Sequence, residues 1–167
     1  NDGSGCSGSA TSSITVYATP VVTLGTFGSM CINGTAFMLT GGAPSGGIYS
    51  GPGVANGSFD PSTAGVGTHT IQYNYTDGSG CSASATSAII VNATPVVTLG
   101  TFSAVCSNAS TFSLTGGSPS GGIYSGNGVA SGNFNPAAAG AATHTIQYSY
   151  TDGNGCSSSA SASITVN

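Results

Sequence analysis

The sequence predicts an all-β fold made of tandem antiparallel β-sandwich repeats of about 75 residues. The repeat length follows from "NDGSGC" at residues 1–6, which returns as "TDGSGC" at 76–81 and as "TDGNGC" at 151–156. Several stretches alternate apolar and polar residues with the period of a strand, and none shows the 3.6-residue period of a helix. Gly and Pro separate these stretches at the short spacing that is typical of sandwiches.

The repeat divides the chain into three parts. Residues 19–93 and 94–167 align without a gap and form two whole repeats. Residues 1–18 match the end of a repeat, which predicts the C-terminal strand of a preceding one. The sequence therefore predicts that the chain is a segment, or window, of a longer tandem array.

Short strands make up the first part of each repeat. In the copy at 19–93 they are "PVVTLGTF", "TAFMLT", "GGIYSG" and "GSFDP", each bounded by Gly or Pro. Together with the two longer strands that follow, they give about six or seven strands per repeat.

Two long strands joined by a hairpin complete the repeat. "THTIQYNY" alternates, and "DGSG" after it is a tight turn in which Gly takes positive φ. The next stretch, "CSASATSAIIV", also alternates apolar and polar residues. The residues expected to share the inner faces are His69, Ile71, Tyr73 and Tyr75 on the first strand and Ala83, Ala85, Ile89 and Val91 on the second.

Short linkers join neighbouring repeats. "YATP" and "NATP" are only a few residues long and end in a proline. The proline fixes its backbone φ, and the short length restricts the motion of one domain relative to the next. The repeats are therefore expected to form an extended rod.

Composition excludes several functional classes. The chain has no Lys or Arg, four acidic residues and a net charge of -4, so it lacks the cations that neutralise phosphates in nucleic acid. No apolar run reaches the ~20 residues of a membrane-spanning helix, and no membrane insertion is expected. No nucleophile elbow, convergent carboxylate pair or zinc spacing appears. No catalytic, cofactor-binding or metal-binding residues are therefore predicted.

The pattern "CxNxxxFxLTGGxPSGGIYSGxGVxxGxFxPxxAGxxTHTIQYxYTDGxGC" resembles the Ig-like tandem repeats of very large cell-surface adhesins and stalk proteins secreted by Bacteroidota. The resemblance covers essentially the whole chain. It implies an extracellular, surface-attached protein with an adhesive or scaffolding role and carries over no catalytic residue.

Five cysteines recur at two repeat positions, which indicates disulfides formed in an oxidising compartment. Simple Ig strand order puts Cys31 at the end of its domain where the last strand finishes, whereas Cys81 begins that strand. Strand rise then separates the two by roughly 25–35 Å, too far for a bond. Head-to-tail stacking favours an inter-repeat bond between Cys31 and Cys156. Cys6, Cys81 and Cys106 would then have partners outside the window.

An intra-repeat scheme stays open, with Cys31 bonded to Cys81 and Cys106 bonded to Cys156, because the strand order is itself inferred. Either scheme explains the odd number of cysteines by truncation of the array.

Tyrosines and histidines give two further candidates. Tyr49 and Tyr124 lie between glycines and are either packing residues or a repeated stacking platform for sugar rings. His69 and His144 occupy the apolar phase of a strand, where a hydrogen-bonded structural role is expected.

The sequence predicts a structural segment of a long extracellular adhesin, stalk or filament that holds a distal binding region away from the cell. Its expected partners are neighbouring repeats, identical chains in a filament, and a surface glycan or substratum. Two alternatives stay open: a carbohydrate-binding accessory module of a secreted enzyme, and a filament subunit in which residues 1–16 act as a donor strand.

Overall fold

The alternating stretches form the long strands of each repeat. A computed structural model describes residues 3–4 and 8–167 of the chain. In it β8 (Gly67–Thr76) pairs with β9 (Ser82–Asn92) along its whole length, and β16 (Ala142–Thr151) pairs in the same way with β17 (Ser157–Val166). Ile71, Tyr73, Ile89 and Val91 are buried, so the predicted inward phase of both strands is confirmed.

Short strands surround these hairpins. In the first repeat they are β1 (Thr23–Leu24), β2 (Ser29–Cys31), β3 (Phe37–Met38), β4 (Gly42–Ala43), β5 (Ile48–Ser50), β6 (Val54–Ala55) and β7 (Ser58–Phe59). In the second repeat they are β10 (Thr98–Leu99), β11 (Phe112–Ser113), β12 (Gly117–Ser118), β13 (Ile123–Ser125), β14 (Val129–Ala130) and β15 (Asn133–Phe134).

Each repeat is a β-sandwich. In the first repeat the sheet β2-β9-β8-β5 lies across the core from β3-β7-β6, and β1 pairs with β4. In the second repeat the corresponding sheets are β13-β16-β17, β11-β15-β14 and β10-β12. The β2–β9 pairing is parallel, and the second repeat has the equivalent parallel bridge between Val105 and Val166. The all-β sandwich class predicted from the sequence is confirmed.

Each core forms within one repeat. The first cluster contains Leu39, Phe59, Ile71, Ile89 and Val91. The second contains their equivalents Leu114, Phe134, Ile146, Ile164 and Val166. Burial of these side chains supplies the main stabilisation of each sandwich, at about 1.5–3 kcal/mol per fully buried large side chain.

A one-turn helix in each repeat, α1 (Pro61–Ala64) and α2 (Pro136–Ala139), was not predicted. The local cause is a helix-start signal: Asp60 or Asn135 occupies the N-cap, and proline follows in the first turn. The Asp60 carboxylate accepts hydrogen bonds from the hydroxyls of Ser62 and Thr63. These bonds, that of Ser62 above all, lower the pKa of Asp60 below its usual value of 3.8.

One sequence expectation differs from the structure. "PVVTLGTF" contributes only the two residues of β1, because its partner β4 is equally short. The described part of residues 1–18 forms no strand, and their assignment to the C-terminal strand of a preceding repeat stays a prediction. Ile14 and Val16, the equivalents of buried Ile89 and Val91, are 91% and 88% exposed. A strand needs a hydrogen-bonded neighbour, and the described residues supply none for this segment.

Candidate functional site: the junction between the repeats

The junction is built from a cysteine at the end of β2 and a cysteine in the hairpin between β16 and β17. Cys31 ends β2 and lies opposite Asn92, the last residue of β9. Ile32 donates its backbone N–H to Asn92 O at 2.8 Å, and Gly34 donates to Cys31 O at 2.9 Å. Cys31 is thus held at the end of the first sandwich where its last strand finishes, as strand order predicts.

The hairpin that carries Cys156 is fixed by Asp152. Its Oδ1 accepts from the backbone N–H groups of Asn154 and Cys156, both at 2.9 Å. The backbone closes the loop further, since Asp152 N donates to Cys156 O at 2.9 Å. Gly155 has φ of +81°, a conformation that side-chain-bearing residues rarely adopt, so the turn requires glycine here. The aspartate of this hairpin turn therefore also positions the cysteine.

A disulfide joins these two elements. Cys31 and Cys156 are bonded, with their Cα atoms 5.5 Å apart and 125 positions between them in sequence. This is the inter-repeat pairing that strand order favours, and the intra-repeat bond from Cys31 to Cys81 is absent from the described residues. Cys156 is fully buried. The bond indicates an oxidising compartment outside the cytoplasm.

In the part of the chain that the structure describes, one polar contact accompanies the disulfide. Asn33 Nδ2 donates to the backbone oxygen of Ser157 at 3.5 Å. Sequence reasoning missed this contact. Its only signal was the position of Asn33 two residues after a cysteine, which is repeated at Asn108.

Two of the three remaining cysteines, Cys81 and Cys106, occupy the equivalent positions and form no disulfide with a described residue. Among the described residues Cys81 is half-buried and unbonded, and Cys106 is exposed and unbonded. Cys6 lies outside the described residues. The assignment of external partners to all three stays a prediction.

Tyr49 and Tyr124 pack within their repeats. Tyr49 is half-buried, its ring centroid is 4.7 Å from that of Tyr73, and its hydroxyl accepts from Gly42 N at 2.8 Å. Tyr124 repeats these contacts with Tyr148 and Gly117. The contacts support the packing role, and stacking on a sugar stays a prediction that no contact supports.

The histidines have local structural roles. Nε2 of His69 lies 2.8 Å from Gly65 O, and Nε2 of His144 lies 2.8 Å from Gly140 O. Because a carbonyl can only accept, this nitrogen donates in both copies. Each histidine therefore ties a long strand to the residue that follows the one-turn helix.

Other binding features are weak in the described part of the chain. No group of three His, Cys, Asp or Glu residues is placed to hold a metal ion there. None of its helices is long and apolar enough to cross a membrane. An open apolar pocket of about 280 Å³ lies between β2 and β3 and is lined mainly by Phe27, Met30, Phe37 and Ile89. It contains no charged side chain that could orient a ligand.

Comparisons with known proteins show no family for this chain. No family model matches the chain, and no curated protein matches it. Among solved structures it is similar to an E-to-A mutated variant of the titin domains I67–I69, a three-Ig-domain structure. The two are 14% identical, the alignment covers 90% of this chain and 66% of that one, and the TM-score is 0.36.

Proposed function

We propose that the chain is a structural repeat segment of a long extracellular surface adhesin, stalk or filament that holds a distal binding region away from the cell. The Cys31–Cys156 disulfide carries this proposal. It gives the junction a second covalent connection beside the main chain. A protein that must transmit tension along an array benefits from such a connection, because force then passes the junction even when one sandwich opens.

The composition suits the same role. Without Lys or Arg the chain has no site for trypsin-like proteases and no lysine for isopeptide crosslinks, so disulfides are its available covalent reinforcement. Each sandwich is small and its long strands carry many Ala and Ser residues, so the core is thin. Reinforcement between repeats offsets that weakness.

The polar groups that enzymes commonly use have structural partners here. Asp77 and Asp152 close hairpins, Asp60 caps a helix, and both histidines bond to backbone carbonyls. These roles support a non-enzymatic function.

A donor-strand filament subunit is a second candidate that one observation favours. Residues 8–17 have the sequence of a last strand, yet Ile14 and Val16 are almost fully exposed. Exposed apolar alternation of this kind can complete a neighbouring subunit's sheet. Polymerisation of the isolated chain that is lost on removing residues 1–18 would favour this candidate over the structural repeat segment, which we call the spacer.

The spacer proposal is tested on cells that produce the full-length protein with a tag at its distal end. Immunogold labelling should reach the protein on intact cells, and deletion of residues 19–167 should bring the distal tag closer to the envelope. The double variant Cys31→Ser, Cys156→Ser keeps the array length and is the matched control. Labelling only after permeabilisation, or an unchanged tag distance in the deletion, contradicts the proposal.

A further inference from the structure

Among the described residues, the two halves of the junction are each present a second time. Cys106 is the repeat equivalent of Cys31 and Cys81 is the equivalent of Cys156, each displaced by 75 positions. We call Cys31 and Cys106 the strand-end cysteines, and Cys81 and Cys156 the hairpin cysteines. One strand-end and one hairpin cysteine are bonded to each other, and the other one of each kind is not.

The unbonded hairpin already has the geometry of the bonded one. Asp77 Oδ1 accepts from the backbone N–H groups of Ser79 and Cys81 at 2.9 Å each, and Asp77 N donates to Cys81 O at 2.9 Å. The hairpin of Cys156 shows the same three distances. Bond formation at Cys81 therefore needs no refolding of its loop.

The unbonded strand end matches its bonded counterpart as well. Ser107 N donates to Asn167 O at 2.8 Å, as Ile32 N does to Asn92 O. The turn after Cys106 is closed by Ala109 N at 3.0 Å, against 2.9 Å for the equivalent bond to Cys31 O. Asn108 and Ser82 occupy the positions of the Asn33–Ser157 contact, so the second contact of the junction is also available.

We infer that Cys106 and Cys81 are complementary halves of the same junction, and that Cys106 bonds to the hairpin cysteine of a further repeat of this kind. The partner argued from the sequence and the geometry is a second copy of this chain. The inference rests on the proposed structural role and adds to it the partner to which Cys106 bonds. Such an interface is heterologous, joining head to tail, and can therefore propagate from one copy to the next.

The bond forms by two thiol–disulfide exchanges with a low-molecular-weight disulfide such as oxidised glutathione. One cysteine thiolate attacks the glutathione disulfide and releases one glutathione thiol. The other cysteine thiolate then attacks the mixed disulfide and releases the second. Two cysteine thiols are thus oxidised and one glutathione disulfide is reduced to two thiols.

An array built by this rule has interlaced disulfides. Cys81 and Cys106 are 25 positions apart, and this segment is the main-chain connection from a hairpin cysteine to the strand-end cysteine of the next repeat. A covalent path along the array can pass alternately through a disulfide and through one such segment. This path contains only about 25 of every 150 residues of the chain. Fully extended, 25 residues span roughly 80–90 Å, against roughly 500 Å for 150 residues without disulfides. The disulfides therefore limit how far unfolding can lengthen the array.

The test uses the whole chain with Cys6→Ser, so that Cys81 and Cys106 are the cysteines outside the internal bond. Two further variants add Cys81→Ser or Cys106→Ser and keep one free thiol each. They are incubated in a glutathione redox buffer, separately and mixed, and analysed by non-reducing electrophoresis and mass spectrometry. Peptide mapping checks that the Cys31–Cys156 bond is retained in every sample.

Complementary halves predict a heterodimer in the mixture well above the statistical share of about one half that random thiol pairing gives. They also predict a ladder of multiples of 15.9 kDa for the chain that keeps both thiols. A statistical mixture of homodimers and heterodimers, or no dimer, overturns the inference. That outcome leaves the immunogold test of the spacer role standing, so the two failures are distinguishable.

Discussion

The inter-repeat disulfide should limit how far the chain extends under force. Tension applied through the two ends enters at Cys31, crosses the bond and leaves at Cys156. The first core and most of the second lie in the closed segment between these residues. Force therefore does not stretch that segment while the bond is intact.

The magnitude follows from the sequence separation. The bond shields 125 residues of chain, and at about 3.3–3.6 Å per extended residue this is a contour length of roughly 410–450 Å. Without the bond, each repeat of about 75 residues should release roughly 250 Å when it unfolds. The oxidised chain should release only residues outside the closed segment, including the peeling of β17 from β16.

Single-molecule stretching measures this directly. The chain is held by handles at both ends in a Cys6→Ser, Cys81→Ser, Cys106→Ser background, so that only the internal bond can form. The matched variant also carries Cys31→Ser and Cys156→Ser. Two long releases should appear in the variant and be missing from the oxidised parent. Equal release in both proteins would refute the reasoning.

Four other predictions concern stability. Cys156→Ser should lower the free energy of unfolding by up to about 5 kcal/mol in denaturant titrations, the chain-entropy value for a closed loop of 125 residues; an unchanged midpoint contradicts this. Gly47→Ala should cost about 1–3 kcal/mol because a Cβ there would lie 2.5 Å from the Tyr73 ring, whereas Gly28→Ala, with nothing within 4 Å, should be neutral; equal effects would argue against it. Tyr73→Phe should cost about 1–3 kcal/mol, since its hydroxyl accepts from one backbone N–H at 2.7 Å and donates to a carbonyl at 2.6 Å; a thermal midpoint equal to that of the parent would count against both bonds. Hydrogen bonds from the hydroxyls of Ser62 and Thr63 lower the pKa of Asp60, so the ionised carboxylate stabilises the fold above the pKa of the unfolded state, and this stabilisation is lost as pH falls through the lower folded pKa. Asp60→Asn should therefore remove this loss from the free energy of unfolding measured below about pH 4. A pH profile equal to that of the parent contradicts the prediction.

Local patterns predicted the parts of the fold that local chemistry decides. The alternation of β8 and β9 fixes which side chains face the core, and the Asp-Gly turns fix the hairpin between them. The one-turn helix was missed although its signal, Asp60 followed by Pro61 and later Gly65, is present. Four residues are too few to show a helical period.

Features that depend on partners distant in sequence were predicted less well. "PVVTLGTF" predicts a strand, yet its pairing with the two residues of β4 limits that strand to two residues. The packing of Tyr49 follows from its register opposite Tyr73, which no local pattern contains. Strand order did favour the Cys31–Cys156 pairing, because it depends only on which end of a sandwich each cysteine occupies. The Asn33 contact across the junction depends on the docking of two domains.

The central claim is that a disulfide joins one repeat to the next. Non-reducing digestion of the native protein with a protease that cleaves after Tyr, Phe or Leu, followed by mass spectrometry, tests it most directly, because the chain has no trypsin site. The account predicts that the Cys31 peptide is linked to the Cys156 peptide. A Cys31 peptide linked to the Cys81 peptide would mean that the disulfide lies within one repeat, and would contradict the account.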